Sequence, residues 1–142
     1  MFDQSYKHQH DAKNRMRIPA KLRETLGDNY TITIGSGGCL MVLSEEEGAK
    51  LKAELKEVSV FDEKAQQTVR AMTYFTWEAE EDKQGRILLP AELRQYAKIE
   101  KDVIVIKTPS CIEIWAKEVW EKYIAELNFT YLADAISNIS KK

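Results

Sequence analysis

The sequence has few of the residues from which most catalytic and metal sites are built. Its 142 residues include two cysteines and two histidines, and no GxSxG nucleophile motif occurs. Two cysteines do not make a disulfide framework, which favours a reducing compartment. His8 and His10 would find only Asp3, Asp11 or a cysteine as further metal ligands. We therefore predict that the protein is not an enzyme and uses neither a cofactor nor a metal.

Long apolar stretches are also missing. No hydrophobic run approaches the roughly 18 residues of a membrane span. The first residues, MFDQSYKHQHDAK, contain no apolar segment of the kind that a secretory signal needs. Hydrophobic residues make up 44% and charged residues 31% of the chain, as in ordinary soluble domains. We expect one cytoplasmic domain over residues 1–142, without a membrane partner.

Positive and negative charges nearly cancel over the whole chain but are unevenly distributed along it. The net charge is −2. Residues 1–23 hold six lysines and arginines against two aspartates, whereas residues 44–64 hold seven acids and four lysines. The near-neutral net charge is therefore the sum of a basic segment and an acidic connector. Only the basic segment is a candidate for binding a polyanion.

The most informative feature present is an internal repeat. Residues 11–23 read DAKNRMRIPAKLR and residues 82–94 read DKQGRILLPAELR, with six identities at an offset of 71. With one inserted residue the likeness continues, so that Cys39 stands opposite Cys111. Two copies are too few for a solenoid. They predict a pseudo-twofold domain in which each half completes the core of the other.

The repeat also predicts the organisation of the chain. We expect a first unit over residues 1–43, a helical insert over 44–72, a second unit with a C-terminal helix over 73–127, and a tail over 128–142. The tail should add only a turn or two of helix. The insert either packs against a neighbouring subunit or covers this one.

Local signals place the elements within each unit. A turn with a positive φ at Asn14, and at Gly85 in the second copy, precedes a short strand. A short helix should begin at Pro19 and at Pro90, because proline suits the first helical position. A β-hairpin follows in each unit, and residues 35–38 (GSGG) form the turn of the first hairpin rather than a phosphate-binding loop. Ser44 and Glu47 form a capping-box signature at the start of the insert.

Each repeat opens with an Asp-x-x-x-Arg turn. In the first copy, Lys13, Arg15 and Arg17 place three cations on one face of a strand, since alternate residues share a face. A projecting basic ribbon matches the size of the DNA major groove. The pattern is equally consistent with a solvated charged surface. In either case Asp11 and Asp82 are predicted to brace their turns through backbone N–H groups.

The second copy is less basic. It retains Lys83 and Arg86, but Leu88 stands opposite Arg17, and Glu92 stands opposite Lys21. Three glutamates precede its turn, and these would repel phosphate. Unless the two turns lie far apart, the first copy should make most of the contacts with a polyanion.

The motifs together resemble the MraZ family. Tyr6-Lys7-His8 near the N-terminus, the Asp-x-Lys-x-Arg-x-x-Ile-Pro segment from Asp11 to Pro19, and the second-copy segment Gly-Arg-Ile-Leu-Leu-Pro all fit its pattern over residues 1–127. Asn14 stands where the family usually has glycine, and His10 where it more often has an apolar residue. The resemblance implies an α+β fold with a mostly β core and peripheral helices. In that fold two AbrB-type swapped-hairpin units of one chain interleave into a pseudo-twofold barrel.

The same resemblance implies a function. MraZ proteins are bacterial regulators of transcription that bind direct repeats of double-stranded DNA upstream of the division and cell-wall gene cluster, and they assemble into homo-oligomeric rings. The protein would then be cytoplasmic and associated with the nucleoid. Carried onto this sequence, the expected DNA contacts are Arg15, Lys13, Arg17, Arg86 and Lys83, with Asp11, Asn14, Asp82 and Gly85 bracing the turns.

Two other classes of function compete with this one. An antitoxin-like interaction module can be built on the same AbrB-type unit, but such proteins usually carry one copy and a disordered tail that binds the partner. A hydrolase or metal enzyme would need more catalytic side chains than the sequence offers. A DNA-binding assay distinguishes the antitoxin-like module from the regulator. Metal analysis tests part of the enzyme alternative.

Overall fold

The computed structural model describes residues 6–9 and 14–140 of the chain. Its fold is α+β, as predicted. The strands are β1 (Tyr6–Gln9), β2 (Arg15–Arg17), β3 (Tyr30–Ile34), β4 (Leu40–Ser44), β5 (Trp77–Glu78), β6 (Arg86–Leu88), β7 (Asp102–Lys107) and β8 (Ile112–Ala116). The helices are α1 (Ala20–Arg23), α2 (Glu45–Lys56), α3 (Glu63–Tyr74), α4 (Ala91–Ala97), α5 (Lys117–Ala125) and α6 (Phe129–Ser140).

The strands form two antiparallel sheets whose pairings join the two halves of the sequence. One sheet has six strands in the order β1-β7-β8-β4-β3-β5, and the other consists of β2 and β6 alone. β1 of the first half pairs with β7 of the second, and β5 of the second half pairs with β3 of the first. The halves therefore share hydrogen-bonded strands.

The barrel implied by the family resemblance is not seen in the described residues. Closing a sheet requires its two edge strands to pair with each other. Here β1 and the two-residue β5 remain the edges of the larger sheet, and among the named strands β2 and β6 pair only with one another. The described strands thus form two open antiparallel sheets and no closed barrel.

Strand residues supply most of the hydrophobic core. The main cluster takes side chains from β2, β3 and β4 and from β6, β7 and β8, with additions from α1 and α4. By contrast, α2, α3 and α5 contribute no fully buried residue. Met16 and Ile87 face each other across β2 and β6, and each is 1% exposed. The core is thus a β core shared by both halves, with helices at its periphery.

Several local signals in the sequence are confirmed. Asn14 and Gly85 adopt φ of 63° and 76°, as their turns require. The Ser44 hydroxyl accepts a hydrogen bond from the Glu47 N–H, and the Glu47 carboxylate accepts one from the Ser44 N–H. Pro19 and Pro90 stand one position earlier than predicted, as the residues that cap α1 and α4.

The predicted length of the helix in the tail is wrong. α6 runs for 12 residues, whereas a turn or two was expected. Phe129, Leu132, Ile136 and Ile139 follow the i, i+3, i+7, i+10 spacing of a single helix face. The signal for a full helix was therefore present in the sequence.

The two cysteines are buried. Cys39 is 0% exposed and Cys111 4% exposed, and neither forms a disulfide. Burial raises the pKa of the Cys39 thiol to about 12 and that of Cys111 to about 11. Both side chains therefore stay protonated at neutral pH, where they pack as small apolar groups.

The turn of the first hairpin leads to a prediction about stability. Gly37 has a φ of +82°, and a Cβ there would lie 2.9 Å from the Trp115 ring and 3.2 Å from the Tyr123 ring. Gly27 has a similar φ of +74°, but a Cβ there would meet nothing within 4 Å. We expect Gly37→Ala to lower the free energy of unfolding by about 2–4 kcal/mol, because it adds a steric clash to backbone strain. Gly27→Ala should cost only about 1 kcal/mol, from strain alone.

Chemical denaturation of the two variants checks this prediction. Equal losses of stability would show that the aromatic rings move aside without cost.

Candidate nucleic-acid interface

The two Asp-x-x-x-Arg copies meet in the two-stranded sheet of β2 and β6. The register pairs Arg15 with Leu88, Met16 with Ile87, and Arg17 with Arg86. Met16 and Ile87 point into the core, so their neighbours on each strand lie on the opposite, outer face. This outer face therefore carries Arg15, Arg17, Arg86 and Leu88, and we call these four residues and their strands the ribbon.

Asp82 organises the second turn through both of its carboxylate oxygens. Its Oδ1 accepts hydrogen bonds from the backbone N–H of Gln84 at 2.8 Å and from that of Arg86 at 3.0 Å. These bonds, that of Arg86 foremost, lower the pKa of Asp82 below its ordinary value, although desolvation opposes them. The carboxylate therefore stays ionised at neutral pH. The bracing role predicted for Asp82 agrees with this geometry.

The same carboxylate also holds arginines from both repeats. Its Oδ2 lies 3.0 Å from Arg86 Nε and 3.3 Å from Arg15 Nη1. One anion is thus shared between two guanidinium groups, which keeps them close together on the outer face. A site that must present side chains in a fixed geometry needs such supporting contacts.

Arg17 is held differently from the other two arginines of the ribbon. Its Nε and Nη2 donate to the Gln84 carbonyl at 3.0 and 2.5 Å. The side chain therefore spans from β2 to the second turn, and a Cβ at Gly85 would lie 3.8 Å from its Nε. This contact also offsets the repulsion between Arg17 and Arg86, which face each other directly in the register.

A cluster behind the ribbon ties α1 to the start of the second turn. The Glu81 carboxylate accepts hydrogen bonds from Arg23 Nε and from the Tyr30 hydroxyl, both at 2.5 Å. The Arg23 guanidinium lies 5.0 Å from the centroid of the Tyr30 ring. The hydrogen bond from Arg23, and then that from Tyr30, lower the pKa of Glu81. This glutamate, expected from sequence to repel phosphate, is therefore paired with a cation.

The lowered pKa of Glu81 predicts how pH affects stability. A carboxyl group with a depressed pKa contributes stability above its unfolded value, near 4.5 here, and loses it as pH falls through the folded value. We expect Glu81→Gln to lower the free energy of unfolding at pH 7 by about 0.5–1 kcal/mol, since solvent partly screens the pair. The difference from wild type should shrink below pH 4.5.

Urea unfolding across pH measures that difference, with Glu80→Gln at the exposed neighbouring position as the control. A difference that stays constant down to pH 3 would contradict the assignment to Glu81.

Most of the residues predicted for the site come together, but not all of them are described. Arg15, Arg17 and Arg86 share the outer face, and the exposed Lys83 lies in the second turn beside them. Asp11 and Lys13 lie outside the described residues, as do His10 and Asp3, so their roles remain predictions. The sequence reading also left open whether the two copies lie apart. The β2–β6 register places them side by side.

Three side chains near the ribbon were not recognised from the sequence as contributors. Arg23 and Glu81 form their ion pair across 58 residues of chain, and no local pattern indicates such a pair. Leu88 was noted only as a departure from the basic pattern. Because alternate residues of a strand share a face, its position two residues after Arg86 would have placed it on the same face as that arginine.

The chain matches a known family of proteins. The sequence model of the family described as "MraZ protein, putative antitoxin-like" matches residues 1–71 and, a second time, residues 72–137. The chain belongs to the MraZ family. The two matches show that each half of this chain resembles the family's unit, and each match includes one strand of the ribbon.

Relatives from several bacteria match over nearly their whole length. The protein named Transcriptional regulator MraZ from Thermoanaerobacter sp. (strain X514) is 44% identical over 95% of this chain and 96% of its own length. Its namesakes from Desulforamulus reducens, 40% identical over 98% and 99%, and from Acetivibrio thermocellus, 42% identical over 92% and 91%, are similarly close. These MraZ relatives are named as regulators and not as enzymes.

The described residues contain neither a metal-binding cluster nor a helix fit to cross a membrane. Within residues 6–9 and 14–140, no three histidine, cysteine or acidic side chains are grouped in a way that could hold a metal ion. In the same part of the chain, no helix has the length and apolar character needed to cross a membrane.

Proposed function

We propose that this protein is a sequence-specific DNA-binding regulator of transcription and that the ribbon is its DNA-binding surface. The observation that carries the proposal is the convergence of Arg15 and Arg86, the arginines of the two Asp-x-x-x-Arg copies, around Asp82 on one outward face. Over residues 14–17 and 82–88, four cations stand against the single carboxylate of Asp82. The names of the MraZ relatives support a role in transcription.

The dimensions and chemistry of the ribbon fit duplex DNA. Two β-strands lie about 4.8 Å apart, so a two-stranded ribbon with its side chains enters a major groove about 12 Å wide. Arginine binds phosphate through charge and can also bind the O6 and N7 atoms of guanine with two hydrogen bonds. Arg15 and Arg86, both braced by Asp82, are therefore the proposed base-reading contacts. Arg17, Lys83 and Lys13 are proposed to contact the backbone.

The proposal extends to the DNA sequence bound and to the fold. Following the family resemblance, we infer that the targets are direct repeats upstream of the division and cell-wall gene cluster, and that the protein works in the cytoplasm on the nucleoid. The strand pairings between the two halves support a swapped-hairpin arrangement of two AbrB-type units. The proposed division is residues 1–43 and 73–127 for the units, 44–72 for the insert, and 128–142 for the tail.

Self-association into a ring is the remaining part of the proposal. Phe129, Tyr131, Ile136 and Ile139 of α6 are each at least 64% exposed. A second apolar site lies between α2 and α3, where Val60 is 74% and Phe61 94% exposed. Contiguous exposed apolar side chains mark interaction surfaces. If one site on a subunit binds a different site on the next, the contact is heterologous, and it forms a ring when the repeated rotation closes on itself.

Fluorescence anisotropy with a labelled duplex that carries several direct repeats tests the proposal.

A second candidate is the antitoxin-like interaction module, favoured by the description of the family itself. It predicts that the protein ignores DNA at low salt while its exposed α6 face binds another protein.

A further inference from the structure

Leu88 is an exposed apolar residue on a basic surface. It is 58% exposed, whereas its neighbours Ile87 and Leu89 are 1% and 0% exposed. A single exposed leucine is ordinary on a protein surface. This one lies directly opposite Arg15 in the strand register and two residues from Arg86, on the face proposed to enter the groove.

The repeat shows what Leu88 changes. The offset of 71 equates Arg15 with Arg86 and Arg17 with Leu88. The register pairs Arg15 with Leu88 at one end of the ribbon and Arg17 with Arg86 at the other. Had arginine stood at position 88, exchanging the two strands would leave the outward strand positions unchanged. Leu88 therefore makes the two ends of the ribbon chemically different.

This difference matches the chemistry of the major groove. An arginine side chain is suited to guanine, and the 5-methyl group of thymine is the one apolar group that a base presents there. We infer that Leu88 is a specificity-determining residue that contacts a thymine methyl group and so gives each ribbon a single orientation on the DNA. The inference rests on the proposed function and specifies how the same site distinguishes sequences.

The geometry also limits where that thymine lies. Directly opposed side chains in an antiparallel pair have Cβ atoms about 4.5–5.5 Å apart, and base pairs rise about 3.4 Å per step. The thymine contacted by Leu88 should therefore lie within about two base pairs of the guanine contacted by Arg15. A ribbon with a fixed orientation suits repeats that all run in the same direction, because successive subunits then read the same strand.

The test uses duplexes selected from a random pool by the wild-type protein. Each thymine of the bound sequence is replaced in turn by uracil, which removes only the 5-methyl group. At one thymine per repeat, we expect the wild-type affinity to fall about fourfold, the effect of one buried methyl group. Leu88→Ala should bind the thymine and uracil duplexes equally, and Ile124→Ala, 40% exposed on α5 and off the ribbon, should keep the wild-type preference.

A second variant tests the orientation. Leu88→Arg makes the outward strand positions of the ribbon equivalent, so the preference for two direct over two inverted repeats should fall toward one. Discrimination against uracil that persists in Leu88→Ala, or its absence in the wild type at every thymine, would overturn the inference and leave the DNA-binding proposal intact. A wild-type protein that selects no duplex would overturn both. Thermal unfolding confirms that each variant is folded.

Discussion

Arg15→Ala is expected to lower the affinity for a duplex with direct repeats by about tenfold or more for each engaged subunit. Arg15 lies on the outer face of the ribbon and is held there by Asp82 at 3.3 Å. Loss of a bidentate arginine–guanine contact costs about 1–3 kcal/mol and relaxes specificity at that base pair. The measurement is anisotropy titration of wild type and variant with the same duplex at one salt concentration.

Two further variants show whether the loss belongs to the ribbon. Lys21→Ala removes an exposed cation from α1, outside the ribbon, and should leave the affinity within about threefold of wild type. Arg15→Lys keeps the charge but loses the planar fork of donors, so it should retain nonspecific binding and lose discrimination between sequences. If Arg15→Ala and Lys21→Ala weakened binding equally, general charge rather than the ribbon would carry the affinity.

Disrupting self-association should also lower the affinity for the duplex, but through a different cause. One ribbon makes few contacts, and we expect its affinity for a single repeat to be modest. A ring presents several ribbons to evenly spaced repeats, and linking binding sites in this way raises avidity by about 10²–10⁴ without new contacts. Ile136→Glu places a charge on the exposed apolar face of α6. It should reduce the mass of the assembly in solution and lower the affinity for the multi-repeat duplex by that factor.

The matched control for this variant is Asn138→Glu, which adds the same charge about 160° away around α6. It should leave both the mass and the affinity unchanged. Binding of Ile136→Glu to a duplex with one repeat should also stay near the wild-type value, since the ribbon itself is intact. Sedimentation analysis gives the mass. A stable monomer that bound the multi-repeat duplex as tightly as wild type would show that avidity is not the source of affinity.

Local features of this fold follow closely from the sequence. The positive φ of Asn14 and Gly85, the capping box of Ser44 and the bracing of the turn by Asp82 all depend on residues within four positions of one another. Such short-range preferences act wherever the residues occur. The internal repeat strengthened them, because each assignment could be compared with a second copy.

Long-range features were not accessible in the same way. The pairing of β2 with β6 brings together residues 71 positions apart on average, and its register decides that Arg15 faces Leu88 rather than Arg86. Each strand has only three residues, too short for its pattern to specify a partner. The open sheet, which replaces the expected barrel, likewise depends on the length of β5, which was not predicted from the sequence.

In the candidate site too, features set by neighbouring residues were predictable and features set by distant residues were not. Arg15, Arg17 and Arg86 were predicted from the motif, and the structure gathers them on one face. Their support was not predicted, because the Arg23–Glu81 pair connects distant segments. The acidic residues before the second turn were read as repulsive since their partners could not be known.

The central claim is that the ribbon binds duplex DNA through its arginines, and the dependence of wild-type binding on salt tests it most directly. Each phosphate contact contributes about −0.9 to the slope of log K against log salt concentration. With Arg17, Lys83 and Lys13 as the proposed phosphate contacts, the account predicts tight binding at low salt and a slope near −3 for each engaged subunit. A protein that bound no duplex at low salt, or whose affinity did not change with salt, would contradict the account.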